Sequence, residues 1–258
     1  MSENNLILSD QIEGYPHPKV TETLFGHHVA EQEFLNCYNS GKLHHSWLIT
    51  GENGIGKATF AWRMAKFLLT QPIERNENNG LFDKSEENQP IEVDKELKKI
   101  VTARIMAESE PRLSVIRKSF DEKRKVFRSS IRVDEVRKLK TFFSLSVSDG
   151  GSRVAIIDCA DDMNINAANA LLKTLEEPPK NTVFLIVSHN PQSLLPTIKS
   201  RCRELRLSNL KKSDLMSALG QINLTIPEND NAIFSLLGAG SVGTVSYTHL
   251  TLPTILRV

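Results

Sequence analysis

Apolar positions along the chain follow two periodicities that alternate. Residues 45–50 (HSWLIT) make a short apolar run of strand length, and residues 58–69 (ATFAWRMAKFLL) repeat their apolar positions at helical spacing. Between them lies GENGIGK, so this stretch reads strand, glycine-rich loop, helix. The pattern resumes with a strand at 113–117 (LSVIR), an amphipathic helix at 131–145, a turn at SDGGSR, and a buried strand at 154–158 (VAIID) that ends in an acid. A helix over 164–177 is stopped by Pro178 and Pro179, and another buried strand follows at 182–189. Near-continuous apolar strands alternating with helices predict an α/β fold whose largely parallel sheet carries helices on both faces. Shorter helical patterns at 211–220 and 229–240 predict a small helical unit beginning near residue 208.

Composition changes this picture little. The chain has 258 residues, 40% hydrophobic and 24% charged, which suits a globular protein of two units and excludes wholesale disorder. With 32 basic against 31 acidic residues, no global field drives it onto nucleic acid or membrane, so any such contact is local. No apolar run approaches the ~18–20 residues of a membrane span, and the opening MSENNLILSDQ lacks the features of a secretory leader. Cys37, Cys159 and Cys202 lie far apart without a CxxC pair, which predicts free thiols in a reducing cytoplasm and no zinc module. Residues 72–96 carry eight acids against three bases and read as a solvated insertion or linker.

The candidate chemistry starts at Gly51-Glu52-Asn53-Gly54-Ile55-Gly56-Lys57, which fits the phosphate-loop pattern GxxxxGK in its required strand-to-helix context. Glycines let the backbone turn tightly and aim N–H groups at phosphate oxygens, the helix start adds its dipole, and Lys57 reaches the outer phosphates. The hydroxyl that should follow the lysine to hold Mg²⁺ is replaced by Ala58. Thr59 stands one place along, turned by about 100° on a helix, and is expected to point away. Asp158 ends its strand at the sheet edge where nucleotide phosphates sit, as a candidate Mg²⁺ partner. Its neighbour is Cys159, where DExx-type ATPases carry a water-polarising glutamate. Asp161 is read either as a substitute that holds water or, like Asp162, as a helix cap.

Residues 154–161, NAANALLKTLEEPP at 166–179, TVFLIVSHNPQSLLPTI at 182–198 and Ser200-Arg201-Cys202 closely resemble the bacterial DNA polymerase III clamp-loader subunits, which are AAA+ ATPases. The resemblance covers residues ~24–243 and is greatest to the delta-prime type. It implies a P-loop AAA+ domain over 1–207, a helical lid over 208–243, and a collar domain of which this chain holds nothing. Motor subunits of the γ/τ type keep a hydroxyl after the loop lysine, an Asp-Glu pair, a four-cysteine zinc module and a lid arginine. Here those positions hold Ala58, Asp158-Cys159, the acidic stretch and Gly243. The resemblance therefore implies weak ATP binding, impaired Mg²⁺ assistance, no zinc and little hydrolysis.

Arg201 alone reads as a surface ion-pairing residue; the resemblance implies an arginine finger that enters a neighbouring subunit's ATP site. It also implies as partners the γ/τ and delta subunits, the sliding clamp and primer–template DNA, with Lys173 facing the duplex. A self-sufficient γ/τ-like ATPase is the alternative, and a P-loop nucleotide kinase fits the motif order less well. Lys118, Lys123, Arg124, Lys125 and Arg128, with Phe120 and Phe127, form a basic patch that reads as a phosphate contact or a solvated hairpin edge. The pairs His27-His28 and His44-His45 lack metal-ligand spacing. Residues 244–258 (TVSYTHLTLPTILRV) contain one charge, Arg257, and are expected to be foreign to the protein.

Overall fold

The computed structural model describes residues 9–10, 16–21, 23–71, 95–144, 151–221 and 240–242. Helix α1 (His28–Asn39) leads into strand β1 (Ser46–Thr50), the phosphate loop and helix α2 (Lys57–Thr70). Then come α3 (Lys95–Met106), β2 (Leu113–Ile116), the short strands β3 (Phe120–Asp121) and β4 (Val126–Phe127), α4 (Val133–Ser144) and β5 (Arg153–Ile157). A 3₁₀ turn over Ala160–Asp162 precedes α5 (Ile165–Glu176), β6 (Thr182–Ser188), α6 (Pro196–Lys199), β7 (Arg203–Arg206) and α7 (Lys212–Gln221).

The main sheet has five strands in the order β2-β5-β6-β1-β7. Every pairing in it is parallel. Side chains on a strand alternate between faces, and that alternation divides the core in two. Trp47, Ile49, Val154, Ile156, Leu185 and Val187 pack with Phe34 of α1 and Phe60, Met64 and Leu68 of α2. Leu48, Ala155, Ile157, Phe184 and Ile186 face the other way, onto Leu139 of α4, Leu171 and Leu175 of α5 and Ile198 of α6. Strands buried on both faces are apolar through their centres, with the polar Ser46, Thr50, Thr182 and Ser188 buried only at the ends of β1 and β6, which is why the sequence shows runs there and not alternation.

The predicted strands and helices of the sheet domain are present, together with one helix that composition concealed. Helix α3 begins inside the stretch read as an insertion, because Lys95 and Glu96 belong to its first turn. Its apolar face is narrow, with Val101 and Ile105 buried beneath a charged exterior. The rest of that insertion, the SDGGSR turn through residue 150, the lid pattern at 229–240 apart from Gly240, Gly243 and the tail 244–258 lie outside the described residues. No helix among the described residues is long and apolar enough to cross a membrane.

Candidate nucleotide site

The loop Gly51–Lys57 leaves the carboxyl end of β1 with positive φ at Gly51 (142°), Gly54 (76°) and Gly56 (102°). Gly51 has a second reason to lack a side chain. A Cβ there would sit 2.6 Å from both the Ile55 side chain and the Leu207 carbonyl oxygen. Gly56 occupies the N-cap position of α2 in a left-handed conformation, which aims the start of the helix at the loop.

Lys57 is only 3% exposed. Its Nζ donates to the carbonyl oxygens of Gly51 (2.7 Å) and Glu52. Burial lowers its pKa to about 8, against the pull of Asp161 and Asp158. The loop is braced from below by His27, whose buried Nε2 donates to the Ile55 carbonyl at 2.7 Å. Burial depresses the His27 pKa, so the ring stays neutral and orders the loop without adding charge.

Around the loop lies a cavity of about 580 Å³, the size a nucleotide needs. One wall is apolar, built by Pro16, Pro18, Leu24 and Phe25, with Leu210, Ala218 and Val242 from the lid side. The polar lining includes Lys57, Lys118, Asp158 and His189. Ser241 meets the loop directly, its Oγ donating to the Asn53 carbonyl at 2.7 Å.

The acidic strand delivers its groups as the sequence predicts, but their chemistry is altered. Asp158 follows β5 directly, and its N–H donates to the Ile116 carbonyl at 2.9 Å. Burial, then the nearby charge of Asp10, pushes its carboxyl up to about 7. Cys159 adopts a left-handed backbone (φ 57°), and burial drives its thiol pKa far upward, so it is a neutral side chain where a base would stand.

Asp161 is fully engaged. It accepts from Ser188 Oγ (2.7 Å), the His189 N–H (2.5 Å) and Ser193 Oγ (3.3 Å). Neither it nor Asp162 caps the following helix. Asn164 does so, accepting from the Ala167 N–H at 2.9 Å, while Asp162 pairs with Lys118 at 2.9 Å. Thr59 borders the cavity together with Ala58. Loop, Lys57 and cavity suit a nucleoside triphosphate. The donor set suits Mg²⁺ poorly, since Ala58 offers no oxygen and Asp158 is readily protonated.

Arg201 is not part of this cavity. The register of β7 on β1 pairs Arg203 with Trp47, near the amino end of both strands. From Trp47 to Gly51 the sheet runs ~13 Å at its usual rise, and Arg201 precedes β7 beyond that edge. Its guanidinium is held by Glu176 Oε1 (2.8 Å from Nη2) and the Thr197 carbonyl (3.0 Å from Nη1). The side chains of Arg201 and Glu176 are 35% and 44% exposed. Arg203 makes the corresponding pair with Glu33 at 2.9 Å.

Lys173 lies on the exposed face of α5 with Asn166 and Asn169 and makes no ion pair among the described residues. The basic patch is an antiparallel hairpin of β3 and β4 whose Arg128 pairs with Asp121 (3.4 Å). His44 caps its own turn, taking the Ser46 N–H at 3.1 Å, and no metal-ligating cluster occurs among the described residues. Sequence reading missed His189, Pro16, Pro18, Leu24 and Phe25, and placed Lys118 in the basic patch and not at this cavity, because nothing local marks a residue that only tertiary folding brings to a cavity.

Comparison with known proteins bears on this architecture. The family profile described as "DNA polymerase III, delta subunit" matches residues 26–211, most of the chain. The chain belongs to the DNA polymerase III clamp-loader family. Among curated relatives, the delta-prime subunit of Pseudomonas aeruginosa is 57% identical over 72 residues (28% of this chain, 22% of that protein). The Bacillus subtilis delta-prime subunit is 30% identical over 178 residues, 68% of this chain and 46% of its own length. The gamma subunit of Buchnera aphidicola from Schizaphis graminum is 26% identical over 205 residues, 80% of this chain and 49% of its own. The chain thus spans less than half the length of each of these relatives.

Among solved structures, a gamma-subunit-related protein of Thermotoga maritima superposes with a TM-score of 0.53 at 19% identity, over 86% of this chain and 57% of that one. Domain III of the replication initiation protein DnaA from the same organism gives 0.51 at 12% identity, over 89% and 84%. These likenesses establish the P-loop AAA+ fold.

Proposed function

We propose that this clamp-loader family member is of the delta-prime type, a ring subunit that hydrolyses little ATP itself and supplies Arg201 to a neighbour's site. The observation that carries this reading is one asymmetry. A well-formed phosphate loop faces a catalytic side without a metal-binding hydroxyl or a free base, while an accessible arginine stands at the far edge of the same sheet. ATP binds weakly through the loop and Lys57. Arg201 lies too far from its own loop to serve it, so its use is in trans.

In this reading the neighbours are γ/τ and delta subunits, and the assembly opens and loads the sliding clamp on primer–template DNA, with Lys173 turned toward the duplex. ATP turnover by the isolated chain and by its mixture with a hydrolysing subunit tests the proposal. Negligible turnover alone and Arg201-dependent turnover in the mixture is the expected result. The competing γ/τ-like motor draws its support from Thr59 at the cavity wall, and steady turnover by the isolated chain at several per second would establish it.

A further inference from the structure

We infer that Glu176 is the positioning residue for Arg201, an inference that rests on the trans-finger reading above. Glu176 is the last residue of α5, and the chain turns away immediately through Glu177, Pro178 and Pro179. Arg201 comes 25 residues later, after β6 and α6. Two separate elements are therefore joined at one guanidinium: Nη2 to the Glu176 carboxylate at 2.8 Å and Nη1 to the Thr197 carbonyl of α6 at 3.0 Å. The pair fixes both ends of the fork. A free arginine explores many rotamers, and ordering it at the moment of reaction has an entropic cost. Here two hydrogen bonds already favour one placement of the guanidinium.

The arrangement leaves the arginine usable. A guanidinium carries more N–H groups than these two contacts consume, and the side chain remains 35% exposed. An incoming phosphate is received by the outward N–H groups while Glu176 and Thr197 keep the plane in place. As a merely structural tie, the pair would be worth little, because half-exposed ion pairs contribute ~1 kcal/mol or less. As a positioning contact, its effect falls on the rate at the neighbour's site, where small misplacements of a charge-stabilising group are costly.

The test uses the full chain mixed with a hydrolysing family subunit, with ATP turnover read at the adjacent site and thermal melts read on each variant. Glu176→Ala should lower kcat there by about tenfold and leave KM for ATP unchanged. Glu176→Gln, which keeps an acceptor oxygen but not the charge, should recover most of the loss. If Glu176→Ala lowers the melting point, Glu176→Met answers the same question with a side chain of similar length and helix propensity that carries no carboxylate. Full turnover in Glu176→Ala, within about twofold of the parent, alongside a deep loss in Arg201→Ala, would overturn the positioning role and leave the finger standing. If Arg201→Ala is itself silent, the finger reading fails first and this inference with it.

Discussion

The Nζ of Lys57 lies 2.7 Å from the carbonyl oxygen of Gly51, the residue that opens its own loop. The lysine is spent on the backbone of its own loop, in a place dry enough to lower its pKa to about 8. Nucleotide binding must take this ammonium from two carbonyls and keep it charged. Affinity should therefore be modest and should depend on pH. Phosphate favours the protonated lysine, so affinity should fall as pH rises through about 8, by up to tenfold per unit. Isothermal titration with an ATP analogue between pH 7 and 9 reads this, and Lys57→Ala should bind far more weakly and lose the slope.

The same lowered pKa has a sign for stability. The folded chain releases the Lys57 proton near pH 8, whereas the unfolded chain keeps it to about 10.5. Between these values the unfolded state binds more protons, so the cost of burying the charge disappears as pH rises. Asp158, raised from 3.8 to about 7, acts oppositely: its contribution is fully present below 3.8 and is lost as pH climbs to about 7. In denaturant titrations, Asp158→Asn should be more stable than the parent at pH 8 and differ less at pH 5.

Hydrolysis should be absent from the isolated chain, and no single repair should restore it. Ala58→Thr returns a hydroxyl and Cys159→Glu a carboxylate, yet Asp161 remains bound to Ser188, His189 and Ser193. Cys159 also sits in a left-handed conformation that most side chains resist. Each single variant should stay at background in a phosphate-release assay, and recovery of turnover above one per second by either alone would contradict this account.

Arg201→Ala should change the melting midpoint little, since the ion pair it breaks is about 35–44% exposed. Turnover at the adjacent subunit's site should fall by ~10³-fold or more when the other sites are disabled. Arg201→Lys should recover little, because an ammonium cannot reproduce the planar fork.

Leu171→Ala tests the core instead. Leu171 is fully buried between α5 and the sheet, in the layer with Phe184 and Ile186. Its truncation should cost about 2–5 kcal/mol in a denaturant melt.

Much of the sheet was legible in the sequence because parallel strands buried on both faces are apolar through their centres, and the runs at β1, β5 and β6 say so. Helix α3 was concealed because only Val101 and Ile105 are fully buried along it. The phosphate loop was legible from its glycines, whose backbone has positive φ at Gly51, Gly54 and Gly56. The rest of the cavity lining was not, since Pro18, Phe25 and His189 are ordinary residues until folding assembles them. The fate of Asp161 was also hidden. Its partners lie 27 to 32 residues away, beyond the reach of any local rule.

The register that pairs Arg203 with Trp47 gives the subunit a direction. If the loop takes the phosphate and Arg201 serves a neighbour, as proposed, the two surfaces stand at opposite ends of the strands and cannot be used symmetrically. Two such chains could not satisfy each other face to face; contacts of this kind are head-to-tail and propagate around an arc.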